Sequence, residues 1–209
     1  MASTTWNPAD HESHLILSNG NLTATGTAGW VSGGRSAYSD TTNKYYCEYT
    51  WTTITNANDC VGVASATASL ANTPVGNAAQ RSVIAQNGII YLPTGGASSV
   101  NLGTITNGTV MCMAVDLASS LIWFRKGAAG NWNGNATYSP AAGTGGVAMS
   151  LAGVAMFAYV VQGGSTDVLT ANFGATGFTG VVPSGFAAGF GSGLPVTGGG
   201  AQARVMVMA

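Results

Sequence analysis

The chain has 209 residues, of which 46% are hydrophobic and only 6% are charged. This length suits one sandwich-type domain with a sizeable core, but an average soluble domain carries about 25% charged residues. With six Lys and Arg against seven Asp and Glu, the chain lacks the basic stripe of a nucleic-acid-binding protein and the polybasic segment of a membrane-surface protein.

Clusters of Gly, Asn, Ser and Thr recur at short intervals and no segment keeps a helical period, which is typical of an all-β antiparallel sandwich. Residues 1–14 are predicted to form an N-terminal arm. The first predicted hairpin joins Leu15–Leu17 to Leu22–Ala24 through Ser18-Asn19-Gly20-Asn21. An Asn-Gly pair between apolar runs favours this tight turn.

The segment Lys44–Thr53, KYYCEYTWTT, alternates large apolar residues with Tyr46, Glu48 and Thr50. This alternation predicts a strand with one buried face and one solvent face. Further strands are predicted over Asp59–Ala64, Ser82–Ala85, Ile89–Leu92, Thr109–Asp116, Leu121–Lys126, Val154–Val161 and Asp167–Ala171.

Three features lie between and after these strands. Asp116 is predicted to accept backbone N–H bonds in the turn that follows its strand. The polar, glycine-rich segment Gly127–Gly146 is predicted to be a long ordered loop. Residues 187–209 form a glycine-rich extension, in which the alternation of Ala201–Ala209 favours one more strand.

Eight pieces of the chain occur in one characteristic order: LSNGNLTAT (Leu17–Thr25), Trp30, KYYCEYTWTT (Lys44–Thr53), VGVAS (Val61–Ser65), IIYLPTG (Ile89–Gly95), GTVMCMAVDLASSLIWFRKG (Gly108–Gly127), NWNGNATYSPAAGTGG (Asn131–Gly146) and LTANFGATGFTGVVPSGF (Leu169–Phe186). Together they resemble the SPRY (B30.2-like) domain, in the form found in bacteriophage and prophage proteins, over residues 15–186. The resemblance implies a bent, concanavalin-like sandwich of two antiparallel sheets. It also implies non-enzymatic recognition of a protein or glycan by loops at one edge, with Phe173, Phe178 and Phe186 in the core.

The residues themselves offer no pattern for catalysis. No acidic pair alternates on a predicted strand, as a glycoside hydrolase needs, and nucleophile-elbow and phosphate-loop motifs are absent. The cluster Asp10 to His14, DHESH, carries the chemistry of a metal site, but a solvated N-terminal segment is the preferred interpretation. We therefore predict no catalytic residue, no cofactor and no metal.

The three cysteines, Cys47, Cys60 and Cys112, are odd in number and lack the spacing of a zinc site. Cys47 and Cys112 lie in apolar runs, which favours buried thiols that pack as small hydrophobic groups. A disulfide between two of the three cysteines is the alternative that the sequence leaves undecided.

The loop Gly127–Gly146 holds the candidate binding residues, which are Asn131, Trp132, Asn133, Asn135 and Tyr138. Aromatic faces stack on sugars and amides bond their hydroxyls, so this mixture fits a glycan or partner site. The preferred alternative is that Trp132 folds inward and pins the loop.

The scarcity of charge favours a surface that is covered by neighbours in an assembly. Combined with the resemblance, it predicts a phage virion surface protein: a capsid decoration or head-fibre protein, or a receptor-binding tail component. Its partners would be other virion proteins, further copies of itself and a host surface glycan or protein, without nucleic acid or membrane insertion. It would be made in the bacterial cytoplasm without a signal peptide. The alternative is a free-standing, lectin-like glycan- or protein-binding module in a bacterial cell.

Overall fold

The computed structural model describes residues 3–29, 32–71, 80–93 and 96–191. These residues form two antiparallel sheets packed face to face, which confirms the predicted all-β sandwich. The strands are β1 Trp6–His11, β2 Leu15–Ser18, β3 Thr23–Gly26, β4 Ser32–Asp40, β5 Lys44–Thr53, β6 Cys60–Ser65, β7 Arg81–Ala85, β8 Ile89–Tyr91, β9 Ala97–Asn101, β10 Val110–Asp116, β11 Leu121–Lys126, β12 Val147–Ala148, β13 Met156–Gln162, β14 Val168–Asn172 and β15 Ala187–Ala188.

Sheet 1 has the strand order β1-β4-β13-β6-β7-β8-β9, and sheet 2 has the order β12-β11-β10-β5-β14-β3-β2. The short β15 pairs in parallel with β5 at Tyr45 and Tyr46. β14 occupies the other end of the same β5 edge, from Glu48 to Thr53. The chain therefore crosses between the sheets several times, and residues distant in sequence meet at the ends of the sandwich.

The main core lies between the two sheets and is built from alternate residues of the long strands. On β5 these are Tyr45, Cys47, Tyr49 and Trp51, all at most 2% exposed. Trp6 packs edge-to-face on Phe173, with 4.9 Å between the ring centroids. Burial of large rings is the main stabilising contribution of such a core, because each removes extensive apolar surface from water.

The first predicted hairpin is confirmed. β2 pairs with β3 in a register that places Leu17 opposite Ala24. The connecting residues Asn19, Gly20 and Asn21 all have φ between +51° and +62°. Asn and Gly tolerate this left-handed backbone better than other residues, which is why the Asn-Gly pair marks the turn.

Three strands of sheet 1, β1, β4 and β9, were not expected. Residues 1–14 were predicted to be an arm, but Trp6–His11 forms β1 and pairs with β4. β4 itself was hidden because Gly33 and Gly34 resemble turn residues. A Cβ at Gly33 would overlap the backbone of Leu70, and one at Gly34 would lie 2.7 Å from Leu15 Cδ2. These glycines permit close packing within a strand.

The prediction that one face of β5 meets solvent holds at the exposed Thr52 and in part at the half-buried Thr50, but it was wrong at Tyr46 and Glu48. Tyr46 is 0% exposed and Glu48 is 3% exposed, although both point away from the main core. The cause is a covering layer contributed by much later parts of the chain, around Trp132 and from Phe178 to Phe186. A pattern local to β5 carries no information about that cover.

Cys47, Cys60 and Cys112 are all free and buried, so the structure contains no disulfide among them. Burial raises the pKa of the Cys47 thiol and of the Cys60 thiol to about 12. Trp30 and the predicted strand in Ala201–Ala209 lie outside the described residues. Across the described ranges, none of the helical structure is long or apolar enough to cross a membrane.

Candidate functional site

A second apolar layer covers the outer face of sheet 2. Its buried members are Tyr46, Cys112, Ala114, Trp123, Trp132 and Phe186, with Tyr138, Phe178 and Val182 packed against them. Phe178 meets the Tyr46 ring edge-to-face at 4.9 Å. The predicted core position of Phe173 and Phe186 agrees with the structure, while Phe178 is half-buried in this outer layer.

Arg125 is held inside the outer layer. Its guanidinium carbon lies 4.4 Å from the Trp132 ring centroid and 6.0 Å from that of Tyr46. Its Nη2 donates to the Val181 carbonyl at 3.1 Å. A planar guanidinium suits this position because it can stack on aromatic faces while its N–H groups bond at the edge.

Glu48 fixes the covering segment to β5. It accepts hydrogen bonds from the Tyr46 hydroxyl at 2.7 Å, the Thr179 backbone N–H at 3.0 Å, the Thr179 hydroxyl at 2.9 Å and the Gly180 N–H at 2.7 Å. Burial disfavours the charged carboxylate, but the four donors outweigh it and hold the pKa of Glu48 below its ordinary value.

Asn133 attaches the predicted binding loop to β11. It lies in the single 3₁₀ turn Trp132–Gly134 with φ of +46°. Its Oδ1 accepts from the Phe124 N–H at 2.9 Å, and its Nδ2 donates to the carbonyls of Ile122 at 3.3 Å and Gly145 at 2.9 Å. Trp132 beside it is 9% exposed and packs inward, so the structure has the inward, loop-pinning orientation.

Two further predicted site residues, Asn135 and Tyr138, also make their contacts with other residues of the loop. The Asn135 Oδ1 accepts from the N–H and the hydroxyl of Thr137, both at 2.9 Å. The half-buried Tyr138 ring lies directly on Gly145, where a Cβ would overlap the ring. Gly145 has φ of +69°, so both its backbone and its contact require glycine.

Asn131, the remaining member of the predicted site, is exposed and lines a shallow pocket of about 250 Å³. The other lining residues are Asn101, Leu102, Lys126, Gly130 and Gly134. The exposed Lys126 is fixed by a 2.5 Å hydrogen bond from Nζ to the Thr104 carbonyl. Asn101 and Leu102 were not predicted from the sequence, because they reach the loop only through the pairing of β9 at the edge of sheet 1.

The DHESH cluster does not converge on one point. Asp10 forms an ion pair with Arg35, 2.9 Å from its Nε. The Nδ1 of His11 lies 2.8 Å from the Glu12 carbonyl oxygen, and His14 is exposed. The segment was predicted to be solvated, but Asp10 and His11 belong to β1 and are partly buried.

The structure does bring two acidic residues together that the sequence showed as separate. Asp59 and Asp167 interact through their side chains, and both are 0% exposed. Burial, reinforced by Asp167, raises the pKa of Asp59 to about 8. A glycoside hydrolase needs its two acids on an open groove, so this enclosed pair cannot act as such a site.

No protein-family model and no curated protein matches the chain. Solved structures share its fold. The SPRY domain of human HERC1 has a TM-score of 0.60 at 16% identity, covering 79% of this chain and 96% of that one. The TRIM65 PSpry domain has a TM-score of 0.56 at 14% identity, covering 82% and 92%. Stonustoxin has a TM-score of 0.56 at 11% identity, covering 82% of this chain and 27% of the toxin chain. The chain therefore has a SPRY-like fold.

Proposed function

We propose that this chain is a non-catalytic binding module that recognises a neutral polar partner at the pocket beside Lys126. At a finer level, we propose that it works on the surface of a bacteriophage virion, as a capsid decoration or head-fibre protein or as a receptor-binding tail component. The observation that carries the binding role is the pocket itself, where an ordered loop meets an exposed sheet edge.

The acidic residues support binding over catalysis. Glu48 accepts four hydrogen bonds. Asp116 pairs with Lys44 and accepts a hydrogen bond from Ser119, and Asp10 forms an ion pair with Arg35. Asp59 and Asp167 are enclosed. General acid–base catalysis needs a carboxyl group within hydrogen-bonding reach of a substrate, and these five of the seven acidic groups are committed to the protein's own structure.

The pocket supports a partner with hydroxyl or amide groups. Asn131 presents an exposed side-chain amide, while Gly130 packs against the Lys126 backbone and so brings the loop close to the pocket wall. β9, which supplies Asn101, is an edge strand with alternating exposed residues. An edge strand offers unpaired backbone N–H and C=O groups. A glycan hydroxyl array and an extended peptide are both compatible with this set.

The composition supports the virion role. Only 6% of the residues are charged, and a surface of neutral polar residues suits a protein that is surrounded by neighbours. Repeated positions on a particle would give it symmetric contacts with other copies. The resemblance of the ordered segments to phage-type SPRY domains points in the same direction.

Binding is tested by a glycan array with the purified protein and the variant Asn131→Ala. We expect a glycan signal that falls at least tenfold in the variant. Asn135→Ala is the matched control, since it removes an exposed amide from the same loop outside the pocket, and it should bind as the wild type does. Equal binding by all three proteins would contradict the role of the pocket.

The virion role is tested by the mass of the protein from its native source, measured by size-exclusion chromatography with light scattering beside electron microscopy. Co-migration with particles or a symmetric oligomer is the expected result. A monomer of 20.9 kDa that never associates with particles would contradict it. That result would favour the free-standing bacterial module while leaving the pocket in place.

A further inference from the structure

The enclosed pair Asp59 and Asp167 joins the two sheets at one end of the sandwich. Asp59 directly precedes β6 in sheet 1, and Asp167 directly precedes β14 in sheet 2. The Asp59 Oδ1 accepts from the Gly163 N–H, and the Asp167 Oδ1 accepts from Thr55 through its N–H at 2.8 Å and its hydroxyl at 2.6 Å. Each residue thus has one well-bonded oxygen.

The second oxygen of each carboxyl group is different. Asp59 Oδ2 and Asp167 Oδ2 are buried and receive no hydrogen bond from an N–H or hydroxyl of the described residues. Hydrogen bonds from Thr55 to Asp167 and from Gly163 to Asp59 interleave the two loops that carry these residues, so the two carboxyl groups are brought together. Two adjacent carboxyl groups that are both fully buried cannot both stay ionised, because each charge raises the cost of the other.

Among the described residues, no Lys or Arg side chain forms an ion pair with either carboxyl group. Asp167 is the ionisable group that acts on Asp59 from the facing elements. Cys60 and Arg81 belong to the outer face of sheet 1, where Arg81 bonds the Tyr159 hydroxyl at 2.6 Å. Lys126 is exposed and bonded to Thr104. The smallest group that can neutralise one charge in so closed a space is a proton.

We propose that Asp59 and Asp167 share one proton at neutral pH and form a latch between the two sheets that weakens when alkaline pH removes this proton. The proton lies between the two Oδ2 atoms, so one carboxyl group donates and the other accepts. This bond uses the two oxygens that otherwise have no partner. The latch does not depend on the proposed binding function.

Backbone hydrogen bonds connect the latch to a loop whose Thr104 holds a residue of the candidate pocket. The Asp59 carbonyl accepts from the Gln86 N–H at 2.8 Å, and the Gln86 carbonyl accepts from the Ile105 N–H at 2.7 Å. The neighbouring Thr104 carbonyl holds Lys126, which lines the pocket. On the other side, the Asp167 carbonyl accepts from the Gly26 N–H at 2.9 Å. Repulsion in the pair would loosen these connections and the loop at residues 102–109.

The direction of the pH effect follows from linkage. The folded pKa of Asp59, about 8, lies above its ordinary value of 3.8. Between these values the folded state holds a proton that the unfolded state has lost, so this contribution to stability is fully present below the lower value and declines as pH rises towards 8. One proton makes the unfolding constant rise about tenfold per pH unit in that window.

Asp59→Asn is the decisive variant, because it imitates the protonated state permanently. The Asn Oδ1 can accept from Gly163, and its Nδ2 can donate to Asp167 Oδ2. In urea unfolding at pH 5, we expect the variant to be no more stable than the wild type. At pH 9 we expect the variant to be the more stable protein, with an unfolding constant at least tenfold lower than that of the wild type. Asp116→Asn is the control and should keep the wild-type alkaline slope. Parallel pH profiles for the wild type and Asp59→Asn would overturn the proposal.

A direct measurement on the wild type does not depend on any variant folding. Carbon-13 NMR of labelled aspartate should show one carboxyl group that titrates near pH 8. Absence of an alkaline carboxyl titration would overturn the shared proton. So would stabilisation by added Ca²⁺ that EDTA reverses, since a cation would then neutralise the pair.

Discussion

Glu48 and Asp59 are both carboxyl groups inside the sandwich, yet their surroundings act on them in opposite directions. Glu48 lies beneath the covering segment of sheet 2 and accepts four hydrogen bonds. Asp59 lies between the sheets, where the Gly163 N–H bonds one oxygen and Asp167 approaches the other. The pKa of Glu48 is lowered, whereas that of Asp59 is raised to about 8.

Burial is common to both groups, so the number of donors decides the outcome. Desolvation raises the pKa of any carboxyl group, and each N–H or O–H that points at the carboxylate lowers it again. Four donors exceed the desolvation at Glu48. At Asp59 the facing partner is another acid, which adds to the desolvation. One group is therefore built to be ionised and the other to hold a proton.

The largest expected effect comes from removing the well-bonded carboxylate. Glu48→Ala leaves the N–H groups of Thr179 and Gly180 and the Tyr46 hydroxyl without their acceptor beneath the covering segment. Each buried unsatisfied donor costs about 1–3 kcal/mol, so we expect a loss of roughly 3 kcal/mol or more in the free energy of unfolding. Urea denaturation at pH 7 measures it. A loss below that of a surface substitution would show that the segment is held by its apolar contacts alone.

The second prediction concerns the pH profile of the wild type. The lowered pKa of Glu48 means that its contribution is present above the ordinary value of 4.5 and is lost as pH falls through the folded value. Asp59 acts in the opposite sense, since its contribution declines as pH rises from 3.8 to about 8. Stability should therefore peak at about pH 4 to 5.

Denaturation midpoints at pH 3, 5, 7 and 9 test this profile. Glu48→Gln should flatten the acid side and leave the alkaline side unchanged. A wild-type maximum above pH 7 would mean that the Asp59 pair contributes less than the other ionisable groups of the chain.

The sequence predicted the strands of sheet 2 well because each is defined locally. Lys44–Thr53 and Leu121–Lys126 coincide with β5 and β11 residue for residue. The alternation in β5 reports the main core directly, whereas the apolar run of β11 is buried on both faces, with Ile122 and Phe124 in the main core and Trp123 in the outer layer. Asp116 was also placed correctly, since its Oδ1 accepts from the Ser119 N–H at 3.0 Å within the same turn.

The two buried acids could not be interpreted in this way. Glu48 alternates with core residues and was assigned to solvent, because its donors Thr179 and Gly180 come from a segment far along the chain. Asp59 and Asp167 meet only because the chain crosses from sheet 1 to sheet 2 between β13 and β14. The sequence around each of these two acids therefore does not indicate that the other lies beside it.

The candidate site shows the same division. Five residues of one loop were predicted to act together, but Trp132 and Asn133 are buried and serve the loop itself. Asn131 lines the pocket with Asn101 and Leu102 of a different sheet. Residue type identified the loop, while the direction of each side chain depended on contacts that only the folded chain provides.

The third prediction concerns a neutral side chain, whose contribution to stability comes from hydrogen bonds alone. Asn133 carries no charge and makes two hydrogen bonds to β11, with Phe124 and Ile122, and one to Gly145 at the far end of its own loop. Asn133→Ala should cost about 1–3 kcal/mol, since it leaves the Phe124 N–H unpaired in a buried position. Thermal unfolding checks the loss, and it should not vary with pH. A pH-dependent loss would mean that the loop also supports an ionisable neighbour.

The smallest effect is expected at Asp116, a buried carboxylate whose lysine partner reaches solvent. Its Oδ2 lies 2.8 Å from Lys44 Nζ, and the lysine side chain is 42% exposed. Solvent screens such a pair, so Asp116→Asn should cost no more than about 1 kcal/mol. The Asn retains an acceptor for Ser119, and unfolding in 1 M salt should reduce the difference further because the Debye length falls to about 3 Å. A salt-independent loss would assign the effect to the turn, leaving the number of backbone donors as the common cause in all the acids of this fold.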